Sequence, residues 1–173
     1  MFYIRKLSKL STIDKLEDID NVEDIPSDML KQELPTTNNS LSFWKCESLD
    51  NSQDTIKAIL LSAPRIEKTK LIIFNDDMFQ SCNFRLDSSQ EGTTGYSGFG
   101  YLHVDLCDLT YRKIGQILTL MKQVTNNKEW ILELSKDQVK EYIREVCLSE
   151  SLDKQKVNES LLYDIHKYNL DCK

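Results

Sequence analysis

A histidine, a carboxylate and a thiol recur at two-residue intervals in the run Tyr-Leu-His-Val-Asp-Leu-Cys, at His103, Asp105 and Cys107. If the run is extended, these side chains lie on one face, because alternate residues of a strand point to the same side. They could begin a zinc site or provide a thiol–imidazole pair. A zinc site needs further ligands, and a reactive thiol needs a lowered pKa. The sequence indicates neither, so a structural role for His103 is the favoured interpretation.

Two adjacent carboxylates, Asp76 and Asp77, follow the apolar run at 70–74. Residues just past a buried strand often bind ligands in α/β sheets, and paired carboxylates are ligands that Mg²⁺ uses. The simpler interpretation is structural. The run Asn75-Asp76-Asp77 then caps a short helix over 78–82, and its acids favour the positive end of that helix.

Four of the five glycines lie close together, interleaved with aromatic residues. Clustered glycines let backbone N–H groups approach a phosphate, but the spacing G-x-x-G-x-x-G-x-G matches neither the dinucleotide fingerprint nor a P-loop. We expect a long loop over 83–102, anchored by its aromatic residues. Long loops in compact domains are often functional. The candidate binding residues in this loop are Gly92, Tyr96, Phe99 and Tyr101.

Acidic residues concentrate between Asp14 and Glu33, where eight carboxylates accompany two lysines. This stretch is either a solvated face or a surface for a basic partner. The acids that we consider for partner binding are Glu17, Asp18, Asp20, Glu23 and Asp24. The net charge of −6 disfavours nucleic-acid binding, which would have to use Arg5, Lys6, Lys9 and the loop aromatics.

The order of apolar patterns predicts an α+β fold. Strands are expected over 2–7, 41–46 and 70–74, and helices over 53–62, 110–126 and 153–168. The strand–helix–strand order from 41 to 74 is long enough for a crossover. With 173 residues, 40% of them hydrophobic, the chain fits a single domain over 1–173. A soft boundary near residue 105 divides a front part, with a small mixed sheet and helices, from a helical back part.

Neither a transmembrane segment nor a signal peptide is predicted, because the apolar runs are short and the first ten residues are interrupted by basic side chains. The five cysteines are odd in number and include no C-x-x-C pair. We therefore expect reduced thiols and a cytoplasmic location.

The block Thr-Asn-Asn-Ser-Leu-Ser-Phe-Trp at 37–44 resembles one found in small uncharacterised bacterial proteins, which begin with a similar Tyr-Ile-Arg-Lys strand. Those proteins also carry a Gly-x-Thr element, a histidine and an Asp-Leu-x-Tyr-x-Lys-x-Gly element. The matching positions here are 92–94, His103 and 108–115, so the similarity spans residues 2–120. The resemblance implies a bacterial cytosolic protein encoded beside a larger partner, as in toxin–immunity or phage-defence loci.

Two functions from different classes follow from these features. The first is a non-enzymatic interaction module, an accessory, regulatory or immunity-type subunit that docks a larger protein. The second is a small metal- or nucleotide-dependent enzyme, whose site would gather Asp76, Asp77, His103 and Asp105 around the glycine-rich loop. The first is favoured because the sequence contains no recognisable catalytic set, and neither cofactor nor metal is predicted.

Overall fold

A single antiparallel sheet organises this computed structural model, which describes residues 1–7, 21 and 24–170. Its six strands lie in the order β4-β5-β2-β1-β3-β6. The strands are β1 (Phe2–Lys6), β2 (Leu41–Cys46), β3 (Thr69–Asn75), β4 (Arg85–Asp87), β5 (His103–Cys107) and β6 (Ile131–Leu134). The helices of the described residues are α1 (Ser27–Glu33), α2 (Gln53–Ser62), α3 (Asp76–Ser81), α4 (Tyr111–Thr125), α5 (Lys136–Leu148) and α6 (Glu159–Lys167).

The predicted α+β class is confirmed, but the sheet is antiparallel rather than mixed. Phe2 in β1 pairs with Cys46 in β2 on one side and with Asn75 in β3 on the other. The crossover through α2 therefore connects two strands of the same direction that β1 separates. The crossover allowed by the strand–helix–strand order is therefore present, but β1 lies between its two strands and pairs antiparallel with both.

Each face of the sheet buries its own apolar core. On one face, Ile4 and Trp44 pack with residues of α2, α5 and α6; we call this the α2 face. On the other, Phe43 and Phe74 pack with residues of α3 and α4; we call this the α4 face. Strand β3 supplies buried side chains to both cores, as its unbroken apolar run predicted. Strand β6 pairs with β3, so the part beyond residue 105 contributes to the same sheet.

Local sequence explains where several helices begin. Asn75 caps α3 and Thr110 caps α4, each accepting a hydrogen bond from a backbone N–H in the first turn. Ser135 and Gln138, three residues apart, form a capping box at the start of α5. None of these helices, nor any other in the ranges described, is long and apolar enough to cross a membrane.

Two expectations about the chain need correction. The expected loop over 83–102 contains strand β4 and a short 3-10 turn at Gly100–Leu102. The prediction that all cysteines are reduced thiols is wrong at Cys147, which is disulfide-bonded. Cys46, Cys82 and Cys107 are free.

Candidate functional site

Strand β5 places His103, Asp105 and Cys107 on the α2 face, as its two-residue alternation predicted. The Nε2 atom of His103 lies 3.7 Å from Oδ1 of Asp105. Ser42, on the neighbouring strand β2, donates a hydrogen bond from its Oγ to the same Oδ1 at 3.0 Å. We call Ser42, His103, Asp105 and Cys107 the polar strip. Ser42 could not be identified from the sequence, because only the β2–β5 register brings it to Asp105.

The polar strip lacks the geometry of a nucleophilic site. The Ser42 hydroxyl donates to the Asp105 carboxylate, a weaker base than imidazole, and so it is not paired with the His103 imidazole as a serine nucleophile would be. The Cys107 thiol donates to the backbone oxygen of Asp105 at 3.6 Å, and burial raises its pKa. A thiol with a raised pKa is less often the reactive thiolate.

The environment of His103 is that of a packed side chain. Its ring meets the Trp44 ring edge-on, with centroids 5.4 Å apart, and its side chain is 12% exposed. Gly92 lies directly against it: a Cβ at that position would approach the His103 Cβ to 2.6 Å. The buried Nδ1 atom has no hydrogen-bond partner among the described residues. His103 therefore sits between a tryptophan and a glycine whose missing side chain makes room for it.

Asp76 and Asp77 lie apart from the polar strip. Both are in the first turn of α3, and the Asp76 carboxylate accepts hydrogen bonds from the Tyr3 hydroxyl, at 2.8 Å, and from Gln80. Tyr3 belongs to the α4 face, whereas His103 points to the α2 face, and strands β2 and β1 separate β5 from β3. The structure thus does not gather the four candidate catalytic residues into one site. Among the described residues, no group of three or more His, Cys, Asp or Glu side chains could hold a metal ion.

The backbone of the glycine-rich loop is bonded to the rest of the domain. The Gly92 N–H donates to the Gly100 carbonyl at 3.0 Å and the Gly95 N–H to the Leu61 carbonyl at 3.2 Å. The buried Thr94 hydroxyl donates to the Ala58 carbonyl at 2.7 Å. The bonds from Gly95 and Thr94 attach the loop to α2. The N–H groups of Gly92 and Gly95 are therefore already bonded, whereas a phosphate-binding loop would direct such groups at its ligand.

The aromatic residues of the loop form a stack that leads from the core to the surface. Tyr96 and Phe99 are stacked with centroids 3.9 Å apart, and Tyr101 follows at 6.2 Å. The buried Tyr96 donates its hydroxyl proton to Asp54 at 2.9 Å, and burial, with that bond, raises its pKa to about 12. Tyr101 is 55% exposed. Of the predicted binding residues in this loop, Tyr101 is the one that presents a large side chain to solvent.

A groove of about 400 Å³ lies beside Tyr101 at the end of the sheet where β1 begins and β2 ends. Its lining includes Met1, Cys46, Glu47, Asp54, Tyr101 and Leu102. We call it the Tyr101 groove. Met1 is 50% exposed, and Leu49, on the turn between two lining segments, is 36% exposed. Sequence analysis did not find this groove, because its walls come from segments far apart in the chain.

The predicted acidic surface falls largely outside the described residues. Glu17, Asp18, Asp20 and Glu23 all lie there, and Asp24 is exposed.

The basic residues considered for nucleic acid are engaged within the fold where they are described. The Arg5 guanidinium donates to the backbone carbonyls of Ser42, at 2.7 Å, and Glu33, at 2.9 Å. Burial lowers the pKa of Arg5 to about 10. Lys6 pairs with Glu67 at 2.8 Å. Lys9 lies outside the described residues. The side chains of Arg5 and Lys6 thus form contacts within the protein.

Comparison with known proteins adds no relative to this picture: no family model, curated protein or solved structure matches the chain.

Proposed function

We propose that this chain is a non-enzymatic interaction module, an accessory, regulatory or immunity-type subunit that docks a larger protein through the Tyr101 groove. One observation carries the proposal: the exposed apolar side chains of Met1 and Tyr101 line one groove, and the exposed Leu49 lies on the turn between two of its lining segments. Large apolar side chains scattered singly over a surface are ordinary, but a group of them beside a concave site is typical of an interface.

The anchoring of Tyr101 supports this proposal. The ring ends a stack whose inner member, Tyr96, is buried and hydrogen-bonded to Asp54. A rigidly held aromatic side chain loses little conformational entropy when a partner covers it. Tyrosine is also enriched among the residues that contribute most to binding energy.

The positions of the candidate catalytic residues favour interaction over catalysis. His103 and Asp105 lie on the α2 face, while the Asp76 carboxylate bonds to Tyr3 of the α4 face. A small metal- or nucleotide-dependent enzyme would need these groups to converge on one cavity. The proposal therefore assigns them roles within the fold.

Purification of the tagged chain from the cell that makes it tests the proposal, with mass spectrometry of the chains that co-elute. We expect a stoichiometric larger protein with the wild type, and its loss with Tyr101→Ala, by about 30-fold or more in affinity for a central aromatic anchor. Tyr111→Ala is the matched control. Tyr111 is 95% exposed and follows the other end of β5, so we expect it to keep the partner. A chain that stays monomeric and binds nothing, or a Tyr101→Ala variant that keeps the partner, would contradict the proposal.

A further inference from the structure

We infer that the Tyr101 groove receives a basic segment of the partner, with an arginine or lysine side chain lying between the Tyr101 ring and the carboxylates at the rim. This inference rests on the proposed function and names the chemistry of its partner. It depends on three features of the groove: rim carboxylates that form no ion pair with a described residue, three carboxylates against two cations, and an exposed aromatic ring.

The carboxylates of the β2–α2 connection form no ion pair with a described residue. Glu47 lines the groove and Asp50 lies on the turn next to it; both are exposed, and neither forms an ion pair or side-chain hydrogen bond with any described residue. Some other acids of this chain form ion pairs. Glu67 bonds to Lys6 at 2.8 Å, and Glu145 to Lys57 at 3.0 Å.

A third carboxylate faces the groove from α2. Asp54 accepts the Tyr96 hydroxyl on Oδ1, and Oδ2 has no hydrogen-bond partner among the described residues. Asp54 lies in the first turn of α2, where the helix dipole favours an acid. That effect does not account for Glu47 and Asp50, which lie outside the helix. No ion pair or hydrogen bond with a described residue stabilises the negative charges of Glu47 and Asp50.

Among the described residues, two cations lie at the groove. Lys45 lines the groove, and its Nζ donates to the Ser88 hydroxyl at 3.1 Å. Burial has the larger effect on the Cys46 thiol and raises its pKa, while the amino group of Met1 lies near Cys46 and favours a lower pKa. Glu47, Asp50 and Asp54 thus give three carboxylates against these two cations.

These features select the charge of the occupant. A neutral or acidic segment would cover the rim carboxylates without pairing them, and a buried unpaired charge is costly. A cationic side chain pairs with them and is also attracted to an aromatic face within about 6 Å. A second copy of this chain would bring another net charge of −6 to the contact. A basic segment that alternates with apolar residues fits both the rim and the apolar lining.

Short fluorescent peptides test this inference with the full chain. One peptide alternates arginine with leucine; the matched peptides carry citrulline or glutamate in place of arginine. We expect anisotropy titrations to give at least about tenfold tighter binding of the arginine peptide, with affinity falling as salt rises. The double variant Glu47→Gln/Asp50→Asn should weaken that binding about tenfold, as expected when close charge pairs are lost.

The control removes the same charge elsewhere on the surface. Glu150 and Glu159 are exposed, and their side chains form no ion pair or hydrogen bond with a described residue, so Glu150→Gln/Glu159→Gln should leave peptide affinity unchanged. Equal binding of the citrulline peptide, equal loss in both double variants, or no binding of the arginine peptide would overturn the inference. So would a dimer seen by sedimentation that Tyr101→Ala dissociates, because a second copy would then be the occupant.

Co-purification separates failure of this inference from failure of the proposed function. If Glu47→Gln/Asp50→Asn keeps the native partner and Tyr101→Ala loses it, the groove is the interface and the inferred charge of the partner is wrong. If both variants lose the partner and the control keeps it, both proposals stand. If Tyr101→Ala keeps the partner, the proposed function itself fails.

Discussion

The polar strip and the Tyr101 groove both use residues of strand β2, yet the fold covers and pairs their side chains to different extents. In the strip, Asp105 accepts from Ser42 and stands beside His103, whose ring packs on Trp44. At the groove, Glu47 forms no ion pair with a described residue, and Tyr101 is 55% exposed. The strip has the residue types that suggest chemistry in a sequence. The groove has the groups whose partners the fold does not supply.

An interface is more often marked by exposed and unpaired side chains than by residue types that suggest chemistry. A side chain that is already bonded and packed has little to gain from a ligand, while an exposed ring or an unpaired carboxylate gains when a partner covers it. Changes in the strip should therefore act on stability, and changes in the groove should act on binding.

We expect Tyr96→Ala to have the largest effect of these changes, on both stability and binding, because Tyr96 supports the groove from inside the core. Removing its ring should lower the free energy of unfolding by about 3–5 kcal/mol, as for other large buried aromatic residues. Chemical denaturation measures this loss. Because Phe99 and Tyr101 then lose their support, binding should fall as well. If binding falls and stability does not change, the Tyr96 ring is not the buried support described here.

A smaller effect, on stability alone, is expected from Gly92→Ala. The new Cβ would stand 2.6 Å from the His103 Cβ, so either His103 or the loop has to shift. We expect a loss of about 1–3 kcal/mol in the free energy of unfolding, the usual range for overpacking. Partner affinity should stay within about twofold, because Gly92 is not part of the groove lining.

The control for Gly92→Ala is Gly115→Ala, which we expect to change the free energy of unfolding in the opposite direction. Gly115 lies within α4 with no atom near the position of its absent Cβ. Gly115→Ala should raise stability by about 0.5–1 kcal/mol, because alanine restricts the unfolded chain more than glycine does. If both substitutions stabilise the protein, the close packing of His103 against Gly92 is contradicted.

Features encoded within a few neighbouring residues were predictable from the sequence. The caps at Thr110 and Ser135, the buried run that became β3, and the shared face of His103, Asp105 and Cys107 are of this kind. Each depends on side-chain periodicity or on a hydrogen bond to a nearby N–H, which local sequence determines.

Features that depend on strand order were not predictable. No local pattern indicates that β1 inserts between β2 and β3, and that insertion makes the sheet antiparallel. The same order separates Asp76 from His103 and brings Met1, Glu47 and Tyr101 to one groove. The loop aromatics were recognised, but which of them is buried follows from packing on α2, so only the structure distinguishes Tyr96 from Tyr101.

Hydrogen–deuterium exchange of the free chain and of its complex with the co-purified partner tests the central claim most directly. The account predicts that the partner slows exchange in residues 45–55 and 99–103, around the Tyr101 groove, and leaves the backbone of β4 unchanged. Protection confined to β4 and the far end of β5, with none around Tyr101, would contradict it.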